Sequence, residues 1–265
     1  MRIVIVATVN LYSSLIAAGL FADDRWSVVG VIETRRVFPG ARSIAVRLLR
    51  GRYSFSFFWF KVVETLVYRL LAWLGLAATP TLDAQARRCG APVVSTRRIN
   101  SEDTVRRLRE WDPDLIVSVS ASEPFGRRLI AIPRLGAINV HASELPRHRG
   151  LAPYFWALHA GDRSTAVTVH RIDRGLDTGP ILGQRPVAIE PRDSAHDVFL
   201  RCSLAAADEL RDAVAAIGEG RAEARPQQTG GSYHSWPSPK DVEAFRARGH
   251  SFWDPLGFIR AVRST

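Results

Sequence analysis

The sequence predicts an α/β protein: a mostly parallel sheet flanked by helices, with antiparallel additions and a short C-terminal extension. Three observations carry this. The chain opens with a β-branched run, Ile3 to Ala7, a helically spaced stretch, Leu11 to Phe21, and a second apolar run, Trp26 to Glu33 (WSVVGVIE), and strand–helix–strand in that order begins a parallel sheet. The same alternation returns after residue 90. A looser, alternating pair of segments follows, which suits strands added antiparallel at one edge.

Each element follows from local pattern. Ile3 to Ala7 is a short apolar run bounded by polar residues, which reads as a strand buried on both faces. Pro92 to Ser95 is a short strand, Glu102 to Glu110 a charged helix, and Asp114 to Val119 (DLIVSV) and Gly136 to Val140 two further buried strands. Ala166 to Ile172 and Ile181 to Ile189 supply the antiparallel pair. A long helical pattern from His196 stops at Gly218 and Gly220, glycine being the usual terminator.

Residues 1–225 thus form one domain. The remainder, 226–265, is rich in Gly, Ser, Pro and aromatics and reads as an irregular extension, too short for a second domain. An insertion at about 40–80 interrupts the α/β pattern. Its part from Tyr53 to Ala78 (YSFSFFWFKVVETLVYRLLAWLGLAA) is apolar and aromatic and is preceded by Arg42, Arg47, Arg50 and Arg52. Lys61, Glu64 and Arg69 interrupt it, so it lacks the run of about 20 apolar residues that a spanning helix needs. Three uses are open to it: a helix packed on the core, a homodimer surface, or an amphipathic segment lying on an anionic membrane.

Composition narrows the class. Of the 265 residues 46% are hydrophobic and 23% charged, the balance of a globular chain, not a disordered one. Two cysteines, Cys89 and Cys202, cannot make a disulfide framework and lie in no metal-binding spacing. With no apolar signal core at the start, the expected compartment is the cytoplasm, with the aromatic segment leaving membrane association open. The net charge of +10 comes from scattered arginines, which suits either acidic partners such as phosphates or a solvated basic exterior.

Chemistry concentrates in Gly136 to Leu182, GAINVHASELPRHRGLAPYFWALHAGDRSTAVTVHRIDRGLDTGPIL. Asn139 and His141 flank Val140 at a strand end and therefore project to one side, near the edge where α/β sheets gather ligands. Asp177 sits in a tight loop, Asp173 to Pro180, between Gly175 and Gly179. An amide, an imidazole and a carboxylate offer an oxyanion donor, a proton carrier and an orienting base. Singly, each residue has a structural use: a capping histidine, a turn-forming aspartate, an asparagine bonded to backbone. His141, His148 and His170 form no zinc-type set, and no metal is expected. His148 and Arg149 read as a solvated loop, Phe155 and Trp156 as core.

INVHASELPRHRG followed by GLDTGPIL resembles the signature of the folate-dependent formyltransferases, strongly over Asp114 to Leu210 and weakly over the opening strands. That family includes methionyl-tRNA formyltransferase, glycinamide ribonucleotide transformylase and the sugar N-formyltransferases. The resemblance implies a Rossmann-like fold, 10-formyltetrahydrofolate as co-substrate, and Asn139, His141 and Asp177 as the catalytic residues. It further implies folate contacts at Glu123, Pro124 and Phe125 and along the loop holding Asp173 and Leu176. The stretch SASEPFG, residues 120–126, departs from the pattern usual in methionyl-tRNA enzymes.

The acceptor is narrowed by comparison within the family. A tRNA acceptor is disfavoured at this length, and the turn ATVNLYSS lacks the glycine expected of a ribonucleotide phosphate site. The expected acceptor is an amino sugar on a nucleotide, whose diphosphate suits the excess arginine. A 10-formyltetrahydrofolate hydrolase and a methionyl-tRNA formyltransferase-like enzyme stand as alternatives.

Overall fold

A computed structural model describes residues 1–34, 41–121 and 123–264, with side chains from residue 44 onward after the gap at 35–40. Arg42 and Ser122, singled out above within their segments, lie outside the described side chains. In chain order the elements are β1 (Arg2–Ala7), α1 (Leu11–Ala22), β2 (Ser27–Thr34), α2 (Ala41–Leu49), α3 (Phe55–Trp73), α4 (Leu82–Arg88), β3 (Val93–Thr96), α5 (Glu102–Trp111), β4 (Leu115–Val119), α6 (Arg127–Ile130) and β5 (Ala137–His141). Then follow β6 (Arg149–Gly150), α7 (Pro153–Ala160), β7 (Ser164–Arg171), β8 (Ile181–Ala188), α8 (Ala195–Gly218), β9 (Tyr233–His234), α9 (Pro239–Ala247) and α10 (Pro255–Ser264).

Seven strands form one sheet in the order β3-β2-β1-β4-β5-β7-β8. Pairing is parallel from β3 to β5; β7 runs antiparallel to β5, and β8 antiparallel to β7. This is the mixed α/β sheet that the sequence predicts. Burial on both faces explains the unbroken apolar strands. In β1, Ile3, Ile5 and Ala7 pack into the larger core with α1 and α8, while Val4 and Val6 face a second cluster with Val105 and Leu108 of α5 and Leu129 of α6. The chain winds outward from β1 through β2 to β3, returns to β4, and winds the other way. That reversal between β1 and β4 opens a crevice beyond the strands' carboxyl ends, where such sheets bind ligands.

Two expectations change. The tail is not irregular: it carries β9 and two helices. Ser238 and Asp241 form a capping box around Pro239 at the first turn of α9, a start signal present in the sequence. Trp26 is not in β2; it precedes the strand, and its indole N–H donates to the Leu20 carbonyl at 2.9 Å. The insertion folds into α2 and α3, and α3 is apolar on two faces. Phe57, Phe60, Glu64 and Tyr68 are buried, whereas Phe55, Trp59, Leu66, Leu70 and Trp73 are exposed. Among the described residues, no helix is long and apolar enough to cross a membrane.

Candidate active site

The crevice holds a cavity of about 450 Å³ lined by Asn139, His141 and Asp177. Glu123, Pro124, Phe125, Asp173 and Leu176, the residues assigned to folate by resemblance, line it as well.

Asn139 and His141 stand at the end of β5, and strand alternation turns both toward the cavity. The His141 Nε2–H donates to the His148 carbonyl at 3.0 Å. That bond leaves Nδ1 as the free ring nitrogen, 3.7 Å from Asp177 Oδ2. Antiparallel register places His170 of β7 opposite Asn139. The Asn139 amide donates to His170 Nε2 at 3.2 Å and reaches Asp177 Oδ1 at 3.5 Å. His170 in turn donates from Nδ1 to the Arg171 carbonyl at 2.8 Å, which fixes its tautomer.

Asp177 is a half-strained loop residue at φ +53°. Its Oδ2 accepts from the Gly150 N–H at 2.9 Å, and Gln227 clasps the loop by donating to the carbonyls of Asp177 and Gly179 at 2.9 and 2.8 Å. Burial pushes its carboxyl up, but His141, His170 and the Gly150 amide together overcome this and hold it well below the usual carboxylate range. The group is therefore an anion at neutral pH. Gly179 is required because a Cβ there would run into the Arg171 carbonyl, and Gly150, at φ +94°, because one would strike the His234 carbonyl.

The tail supports this arrangement. β9 pairs with β6, so Tyr233 and His234 hold Arg149 and Gly150 in register. His148 is not in a solvated loop, as the sequence suggests, but buried. Its Nε2 meets Asp162 at 2.9 Å and its ring lies against His234. His234 stacks on Trp156 at 4.3 Å. Phe155 and Trp156 are core residues, as expected. Three non-glycines at positive φ, Ser120, Ala152 and Asp177, line the cavity.

The wall assigned to folate by resemblance is built separately. Glu123 accepts from the Ile99 amide at 3.0 Å, and Asn100 donates to the Pro124 carbonyl at 2.9 Å. Asp173 is occupied within its own loop, accepting from Gly175 N–H and the Thr178 hydroxyl at 2.9 and 2.7 Å.

Sequence reading missed several groups. His170 carried no signal of its own, because only the β5–β7 register puts it against Asn139. Gln227 and residues 232–236 sit in a segment with no periodicity. Arg47, Tyr53 and Lys61, from the insertion, also line the cavity. Lys61 is half-buried in an aromatic box of Tyr12, Phe60, Tyr154 and Phe199 and pairs with Glu64. Burial opposes its charge, but Glu64 and Tyr154 raise it above the ordinary lysine value. Burial also pushes the Cys202 thiol at the cavity wall up to about 12, which leaves it unreactive.

The fold occurs in solved structures. Glycinamide ribonucleotide transformylase 1 from Symbiobacterium toebii superposes with a TM-score of 0.60 at 19% identity, over 86% of this chain and 94% of its own. An N-formyltransferase from Helicobacter canadensis, solved with folinic acid and dTDP-3-aminofucose, gives 0.56 at 16% identity, over 91% and 72%. In sequence, the methionyl-tRNA formyltransferase of Geobacter metallireducens is 39% identical over 131 residues, 49% of this chain and 42% of that protein. The chain thus spans about half the length, or less, of the methionyl-tRNA formyltransferases it matches in sequence. The Formyl transferase family matches residues 73–214, more than half of the sequence and the part containing Asn139, His141 and Asp177, and the chain belongs to that family.

Proposed function

We propose that this protein is an N-formyltransferase that moves a formyl group from 10-formyltetrahydrofolate to the amine of an amino sugar carried by a nucleotide. The observation that carries this reading is the convergence of Asn139, His141 and Asp177 on one cavity at the sheet's switch point. The pterin end of the folate lies along Glu123, Pro124 and Phe125 and against the loop of Asp173 and Leu176. Its formyl carbonyl is presented to Asn139.

The acceptor amine attacks the formyl carbon as a neutral nucleophile, forming a new C–N bond. The carbonyl oxygen becomes an oxyanion, and the Asn139 N–H donates to it. Nδ1 of His141 takes the proton from the attacking nitrogen, and the imidazolium so formed faces the Asp177 carboxylate across 3.7 Å. Collapse of the intermediate breaks the bond from the formyl carbon to N10, which takes the proton from the His141 imidazolium and leaves as tetrahydrofolate. Support for a nucleotide-linked acceptor comes from Arg47, Tyr53 and Tyr233 at the cavity wall, a cation and aromatic faces fit for phosphate and base.

The test is tetrahydrofolate release from 10-formyltetrahydrofolate in the presence of a panel of acceptors, with mass spectrometry on the product. Release that requires a nucleotide-linked amino sugar supports the proposal. Release without any acceptor makes the protein a hydrolase, and release only with methionyl-tRNA makes it a tRNA enzyme.

A further inference from the structure

The insertion does more than wall the cavity. The four buried residues of α3, Phe57, Phe60, Glu64 and Tyr68, point inward, yet Phe55, Trp59, Leu66, Leu70 and Trp73 are left in the open. With about 100° of turn per residue, these five fall within an arc of roughly 60°, opposite the buried four. Phe55 is 62% exposed and Trp73 80%. The stripe continues past the helix end through Leu74 and Leu76 and is preceded by Leu49, 87% exposed. Alongside, α10 packs on α3 through Phe258 and Val262 against Tyr68 and Leu71, and exposes Leu256. A row of large apolar side chains this long is far more than the scattered surface hydrophobics of an ordinary fold.

Exposed charge on the insertion is of one sign. Residues 40–78 contain Arg42, Arg47, Arg50, Arg52, Lys61 and Arg69 against a single acid, Glu64, and that acid is buried and paired with Lys61. Arg50, Arg52 and Arg69 are exposed, as is Arg263 on α10, whose Arg260 lies 3.9 Å from Asp254. A second copy of the chain placed on this face would bring like charges together. An anionic bilayer matches both features, apolar side chains entering the acyl boundary and arginines meeting lipid phosphates. Tryptophans near both ends of the stripe suit the interfacial layer.

We infer that the outer face of α3, rimmed by arginines, docks the protein on the surface of an anionic membrane, with α3 lying in the plane of the interface. Because Arg47, Tyr53 and Lys61 of the same insertion line the cavity, docking sets the site close to the lipid surface.

Co-sedimentation of the full chain with vesicles tests this, using phosphatidylcholine alone and phosphatidylcholine mixed with phosphatidylglycerol. The protein should pellet with the mixed vesicles and remain in solution with the neutral ones, and release should follow added salt. Replacing Leu70→Gln and Trp73→Ser together should abolish pelleting without lowering the melting temperature, since both side chains are exposed. Neutralising Arg50→Gln and Arg69→Gln together should weaken partitioning by roughly 30-fold, at about fivefold for each basic residue near the surface. Equal binding to both vesicle types overturns the inference, as does binding to neither. A chain that sediments as a dimer without lipid, and as a monomer once Leu70 and Trp73 are replaced, also overturns it by showing that a second copy covers the face.

Discussion

Asp177 shows how a single side chain can be committed to one charge state. Its carboxylate receives a backbone N–H from Gly150 and faces two imidazoles, so its folded value lies below the unfolded value of about 3.9. A lowered carboxyl stabilises the fold fully above the unfolded value and loses that contribution as pH falls through the folded one. The difference in unfolding free energy between the wild type and Asp177→Asn should therefore be constant above about pH 5 and shrink below about pH 4. Urea titrations across that range check it; a gap that widens on acidification would assign the carboxylate the wrong sign. For turnover, Asn139→Ala removes the proposed oxyanion donor and should lower kcat by about 10²–10³-fold with KM for formylfolate little changed. A loss confined to KM would make Asn139 a binding residue.

At the scale of elements, the C-terminal segment acts as a brace. β9 reaches β6 across the chain and presses on Gly150, whose N–H holds Asp177; Gln227 ties the same loop from the other side. Gly150 tolerates this because it lacks a Cβ and takes φ +94°. Gly150→Val should cost at least about 1–3 kcal/mol in stability through strain at that φ, and should depress turnover beyond what the stability loss explains, since Asp177 is displaced. Melting temperature and kcat measured on the same preparation decide it, and a variant indistinguishable from wild type in both would remove the brace from the account.

Across the molecule, α3 is joined to the α/β body by a buried polar cluster. Tyr12 of α1 donates to Glu64 and contacts His196 of α8 at 2.8 Å, while Lys61 closes the pair. Burial opposes the charge on Glu64, but Lys61, His196 and Tyr12 keep its carboxyl below the ordinary value. Breaking a buried pair from one side leaves an uncompensated charge and costs about 3–5 kcal/mol. Glu64→Gln should thus destabilise strongly, and Lys61→Met with Glu64→Gln together should recover much of the loss, as chemical denaturation will show. Strict additivity of the two single variants would mean that the groups do not act as a pair.

The β-branched runs, the break in the order of strands and helices, and the paired elements around Asn139, His141 and Asp177 were legible in the residues, because strand burial and loop chemistry leave local marks: alternation, glycines, β-branching. His170 and Gln227 were not legible, since their roles depend on register and on a chain crossing 31 to 50 residues away in sequence, and contact at that separation leaves no periodic trace. For α3, hydrophobicity alone allowed a core helix, a dimer surface or a membrane segment. Packing shows one face in the core and the other open, because an apolar helix reveals which face is covered only after its neighbours are in place.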